Sequence, residues 1–215
     1  MLIVTDQIHN SVYSMRWRGL IHGQITPGSW SKPVLFRNPS GVADGQTADL
    51  QGHLLIAETT GRRVSITRSL KANLSSPDPQ APTLVGSYQG KPLNSPNDLV
   101  VKSDGSVWFT DPSYGSLQFP PQPAQLPNNV YRYDPASKQM TVVEGSLVMP
   151  NGIAFGPGVS IQFAYGRIVK LWGSVEVGPS GTTPRSNLPP SLLPTNSKSS
   201  RAFVSLVALS VPWTT

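Results

Sequence analysis

Val107-Trp108-Phe109-Thr110-Asp111 is a β-rich run closed by a carboxylate, and the chain writes that shape three times. The other copies are Leu2-Ile3-Val4-Thr5-Asp6 and Leu54-Leu55-Ile56-Ala57-Glu58, so the closing carboxylates fall at 6, 58 and 111, spaced by 52 and 53 residues. Branched and aromatic side chains in short runs pack on a pleated surface, which makes each run a strand. A second strand-like stretch follows each: Asn10 to Ser14, Gly61 to Ser65 and, after a longer loop, Asn129 to Tyr133. Ahead of the runs lies an independent marker with the same period. Ala43-Asp44-Gly45, Pro96-Asn97-Asp98 and Pro150-Asn151-Gly152 place their central residues 53 and 54 apart. Between marker and run, Asp49-Leu50-Gln51-Gly52 and Lys102-Ser103-Asp104-Gly105 carry hairpin-turn chemistry.

A period near 50 residues with several strands per unit is the length of a propeller blade, because four short strands with their turns use about that much chain. Helical repeats of similar length would show a 3.6-residue periodicity and few prolines. The fold class expected is all-β: a partial β-propeller of about three blades, followed by an irregular tail. A sandwich of short strands is the alternative, but it has no reason to repeat at this interval. The 22 prolines and 19 glycines among 215 residues fit many turns and oppose long helices.

Several chemistries are excluded or find no support. With no cysteine, a disulfide framework, a thiol nucleophile and thiolate metal sites are ruled out. The net charge of +6 is scattered, with no basic stripe interleaved with aromatics, so no nucleic-acid partner is expected. His9, His22 and His53 are not spaced as a metal pair, and there is no nucleophile elbow, P-loop or dinucleotide fingerprint. No run approaches the ~18 apolar residues of a membrane span and no leader pattern opens the chain, so a cytoplasmic location with no membrane partner is expected.

Equivalent positions of successive blades are related by rotation about the central axis. If Asp44, Asn97 and Asn151 open the innermost strands, their side chains converge at one end of the channel. A ring of carboxylate and amide oxygens there suits a hard cation. The competing reading is that these are turn formers and no more.

The stretch Asn94-Ser95-Pro96-Asn97-Asp98-Leu99-Val100-Val101, with Asp104-Gly105-Ser106-Val107-Trp108-Phe109-Thr110-Asp111-Pro112-Ser113-Tyr114-Gly115, resembles the SPND and FTDPxYG signatures of the gluconolactonase/regucalcin family. Pro150-Asn151-Gly152-Ile153-Ala154-Phe155 resembles its PNG motif, and Leu54 to Val64 its segment written LLVCEHGNRRV. The resemblance covers roughly residues 2 to 158. It implies a six-bladed propeller with one divalent cation on the axis, calcium first and zinc or manganese next, and hydrolysis of a small-molecule lactone. By motif, Asn97 and Asn151 carry over as metal ligands, and Asp44 and Ser95 become candidates to line the substrate.

The two acidic ligands of the family set have no match: the glutamate would lie upstream of Leu2, and near residue 204 the chain reads Ser200-Arg201-Ala202-Phe203-Val204-Ser205. Asp111 and Glu58 are the remaining candidates for a catalytic carboxylate, Asp111 equally being a turn carboxylate before Pro112. A lactone hydrolase and a non-catalytic propeller fragment, a binding module or an inactive truncated product, therefore both stay open.

The expected division is a propeller part over 1–158 and a Pro/Ser/Thr-rich tail over 159–215, the latter read as a linker or as a shifted frame. Open blades are expected to leave sheet edges available for self-association.

Overall fold

The structure, a computed structural model, describes residues 2–16, 20–21, 24–25, 28, 30–69, 78, 81–118, 120–155, 160–165, 172–176 and 206–208. It is built from antiparallel meanders. Sheet 1 consists of Leu2–Asp6, Ser11–Met15 and Val34–Arg37, with Leu206–Ala208 added on the free side of Leu2–Asp6. Sheet 2 runs Ala43–Ala48, His53–Glu58, Arg63–Ser69, Thr83–Val85. Sheet 3 runs Leu99–Val101, Val107–Asp111, Asn129–Asp134, Gln139–Glu144. Sheet 4 has Pro150–Phe155, Ser160–Tyr165 and Trp172–Glu176. Its second and third strands lie past residue 158; the rest of 159–215, apart from 206–208, falls outside the described residues.

The predicted turns close the first hairpins of sheets 2 and 3. Gly52 donates its N–H to the Asp49 carbonyl at 3.0 Å, and Gly105 to that of Lys102 at 2.9 Å. Both glycines sit at positive φ, 83° and 85°, a region that a Cβ disfavours. In each of the first three sheets the closing carboxylate ends the second strand and faces the first residue of the third: Asp6 opposite Ser11, Glu58 opposite Arg63, Asp111 opposite Asn129.

The sheets stack face to face, so the strands in the middle bury both faces and lose the simple alternation of a half-exposed sheet. All five residues of Val107–Asp111 are buried. Ile3, Val12 and Phe36 meet Ala43, Leu54 and Ile56 between sheets 1 and 2. Leu55, Ala57 and Val64 meet Val107, Phe109 and Tyr131 between sheets 2 and 3, the Phe109 and Tyr131 rings tilted at 5.4 Å. Trp108 and Val130 meet Ile153 between sheets 3 and 4, Trp108 edge-on to Phe155 at 5.7 Å. Leu99–Val101 lies between Ala43–Ala48 and Pro150–Phe155, so the innermost strands neighbour one another around a common axis. The described residues thus form a partial β-propeller.

Candidate functional site

The three repeated markers share one local geometry, a β-bulge in which two residues oppose one. In sheet 2, Ala43 pairs with Glu58 and Gln46 with Ile56, which leaves Asp44 and Gly45 opposite Ala57 alone. In sheet 4, Pro150 pairs with Tyr165 and Ile153 with Phe163, leaving Asn151 and Gly152 opposite residue 164. In sheet 3, Asn97 donates its N–H to the Thr110 carbonyl at 3.0 Å while Thr110 donates its own to the Asp98 carbonyl at 3.0 Å, so Asn97 and Asp98 share one partner. A bulge breaks the two-residue alternation of a strand and re-aims a side chain.

Of the three side chains the period pointed to, Asp44 and Asn97 meet directly, while Asn151 bonds a further residue, Tyr114. The Asn97 amide nitrogen donates to a carboxylate oxygen of Asp44. The Asn151 amide nitrogen donates to the Tyr114 hydroxyl at 3.3 Å. Asp98, adjacent to Asn97, accepts from the Ile153 N–H at 3.0 Å and from the Leu99 N–H at 2.9 Å. Burial pushes the Asp44 carboxyl up to about 7, the neighbouring charge of Asp98 adding to the shift and a hydrogen bond from Gln7 opposing it. Burial likewise raises Asp98 to about 6, against the pull of the Ile153 and Leu99 N–H groups. The Tyr114 hydroxyl is raised by burial, and Asp44 contributes to that shift. Asp98, Tyr114 and Gln7 are the members that reading the sequence missed. Asp98 and Tyr114 stand inside the two quoted motifs, which is the signal that could have found them; Gln7 carries none.

The other candidates are placed elsewhere. Glu58, 1% exposed, is held by Arg37 at 2.9 Å and Arg63 at 2.7 Å. Asp111, fully buried, accepts the N–H groups of Asn94 and Ser95, both at 2.8 Å. Burial still lifts its carboxyl to about 7, the two N–H donors and the Arg62 charge opposing. Ser95 donates to the Pro112 carbonyl and accepts from the Gly115 N–H at 2.9 Å, tying the loop before Leu99 to the turn after Asp111. A half-open cavity of about 450 Å³ lies away from the cluster, on the outer face of sheet 1 beside Val4, Tyr13 and Met15. Among the described residues no helix is long and apolar enough to cross a membrane.

Comparison with known proteins agrees with this architecture. Residues 43–166 match the family model described as SMP-30/Gluconolactonase/LRE-like region. A gluconolactonase of Zymomonas mobilis is 29% identical over 142 residues, which is 62% of this chain and 36% of that protein. The lactonohydrolase oryL of Aspergillus oryzae is 30% identical over 110 residues, 49% of this chain and 25% of that one. Among solved structures, a gluconolactonase from Xanthomonas campestris superposes with a TM-score of 0.67 at 25% identity, covering 86% of this chain and 57% of its own. The chain spans about a third or less of the length of the two curated relatives. With the family model matched over more than half its residues, and with the propeller architecture in place, this chain belongs to the SMP-30/gluconolactonase/LRE-like family.

Proposed function

We propose that the bulge cluster binds a divalent cation and that the protein acts on a lactone, as a cation-assisted hydrolase of sugar-type lactones. The observation that carries this reading is the hydrogen bond from Asn97 to Asp44 between two sheets, with Asn151 on a bulge of the same form in the next sheet and bonded to Tyr114, whose hydroxyl feels the charge of Asp44. The donor set fits a hard cation. Carboxylate and amide oxygens are its preferred ligands, and Asp44, Asn97 and Asn151 offer both kinds. Asp44 and Asp98 stand half-buried beside the amides with their carboxyls raised by desolvation, and a bound cation would favour their charged forms. Calcium fits these oxygens best; zinc and manganese are the alternatives to be tested.

Asn97 and Asn151 would hold the cation through their amide oxygens, with Asp44 supplying charge beside them. Once bound, a divalent cation polarises a lactone carbonyl and stabilises charge on its oxygen. Tyr114, bonded to Asn151, stands where it can orient a substrate hydroxyl, and Ser95 keeps the loop carrying Asn97 in place.

A second reading, a binding module without turnover, is favoured by one observation. Glu58 and Asp111, the two candidates for a catalytic carboxylate, are both committed to structural bonds and are not available as a base. Calorimetric titration of the purified chain with calcium, zinc and manganese, coupled to a pH-indicator assay of acid release from gluconolactone, separates the readings. Stoichiometric binding with cation-dependent turnover is the result expected for the hydrolase. Binding without turnover leaves the module, and no binding overturns the cation site itself.

A further inference from the structure

A bulge interrupts the regular pairing of its strand, and groups it frees can be held by the neighbouring sheet. In sheet 4 both ends of the bulge are held by sheet 3. The Thr110 hydroxyl donates to the Asn151 carbonyl at 2.7 Å, and the Asp98 carboxylate accepts from the Ile153 N–H at 3.0 Å. Thr110 is itself fixed: it is fully buried, its hydroxyl accepts the Asp98 N–H at 3.1 Å, and its own N–H and carbonyl bond Asp98 and Asn97. One threonine therefore joins the backbone of Asn97 to that of Asn151. The device recurs two periods earlier: Thr5, the residue before the first closing carboxylate, donates its hydroxyl to the Asp44 carbonyl at 3.3 Å.

We infer that Thr110 and Asp98 are positioning residues that set where Asn151 stands relative to Asn97, and that Thr5 does the same for Asp44. Neither threonine touches the ligand; each fixes the backbone from which a ligand-bearing side chain springs. At the junction between these two, the equivalent position is Ala57, which has no hydroxyl. There the Asn97 carbonyl is taken instead by the N–H of Gly45, at 2.7 Å. That carbonyl thus has a backbone donor where its two counterparts have a threonine, which is why a hydroxyl is dispensable at 57.

The inference rests on the cation-site reading for its functional sense, but the placement of Asn151 can be measured without any cation. The experiment compares the chain with its Thr110→Val, Thr110→Ser and Asp98→Ala variants, using calcium titration and the side-chain amide signals of Asn97 and Asn151 in nitrogen-15 NMR spectra of the calcium-free protein. Valine keeps the shape and loses the donor, and serine keeps the donor. The result expected is a fall in calcium affinity of about 10- to 100-fold in the valine and alanine variants. Serine should restore binding, and the Asn151 amide signals should move in the valine and alanine variants but not in the serine one. Unchanged affinity and unmoved signals in Thr110→Val would overturn the proposal. So would a valine variant that merely melts lower while binding calcium as before. If the unmodified chain takes no calcium, the cation reading fails while the amide signals still decide the positioning.

Discussion

The side-chain amide of Asn97 donates to the carboxylate of Asp44, a partner 53 residues earlier and one sheet away. This contact spans the space between two innermost strands and ties the sequence repeat to the site. Replacing Asn97 with Ala removes it and leaves a half-buried carboxylate short of a donor, at a cost of about 1 kcal/mol in urea unfolding. The same variant is expected to abolish the heat of calcium binding. Asp44→Asn, which keeps the shape but removes the charge, should bind calcium at least about tenfold more weakly while unfolding near the same urea concentration.

Gly45 has no room for a side chain. A Cβ there would lie 2.3 Å from a carboxylate oxygen of Asp98, 2.6 Å from its Cα and 2.7 Å from the Asn97 carbonyl oxygen. Two of the three are backbone atoms and cannot swing aside. Gly45→Ala is expected to cost about 2–3 kcal/mol by overpacking, measured by thermal melting, and to weaken calcium binding as well, because the displaced segment carries Asn97.

The two arginines on Glu58 are not equal. The Arg37 side chain is 1% exposed and that of Arg63 is 30% exposed. Arg37 also donates to the Asp78 carbonyl at 3.1 Å and to the Ser65 hydroxyl at 3.1 Å. Arg37→Met leaves a buried carboxylate with one partner at its rim and two acceptors unmet, so a loss of about 3 kcal/mol or more is expected. Arg63→Met should cost about 1 kcal/mol or less, since solvent screens an exposed partner. Denaturant unfolding of the two variants side by side checks the ranking; equal losses would contradict it.

Asp111 makes stability fall as pH rises. Its carboxyl is held at about 7 in the folded chain against 3.8 unfolded, so the folded state carries the extra proton between those values. Stability from this group is full below about pH 4 and declines toward pH 7, with a slope of roughly 1 kcal/mol per pH unit in between. Asp44 and Asp98 shift in the same direction. Asp111→Asn should flatten the curve of unfolding free energy against pH without abolishing its slope. An unchanged slope would show that the buried carboxyl ionises normally.

Much of the fold could be read from the chain. The runs ending at Asp6, Glu58 and Asp111 are strands, and the turn signals at 49–52 and 102–105 are the entry turns of the last two, because both rest on local chemistry that repeats. The shared bulge at Asp44, Asn97 and Asn151 follows from the same repeat, since a fixed period returns the same local geometry in each sheet. What lay beyond reach depends on pairing. A bulge exists only relative to the strand opposite, so the sequence shows Asp44-Gly45 and not the single residue facing it. The carboxylates at 58 and 111 look alike in sequence. One is claimed by Arg37, 21 residues back, and the other by the backbone N–H groups of Asn94 and Ser95. Only Arg63, the second partner of Glu58, lies close to its carboxylate in the sequence.

The N–H groups of Gly45 and Ile153 point away from their own ladders and into the neighbouring sheet. Their exchange with deuterated solvent therefore reports on the seams of the stack rather than on the pairing within a sheet. A molecule whose sheets drifted apart while each stayed zipped would lose protection at these two amides first, long before the strands themselves began to fray.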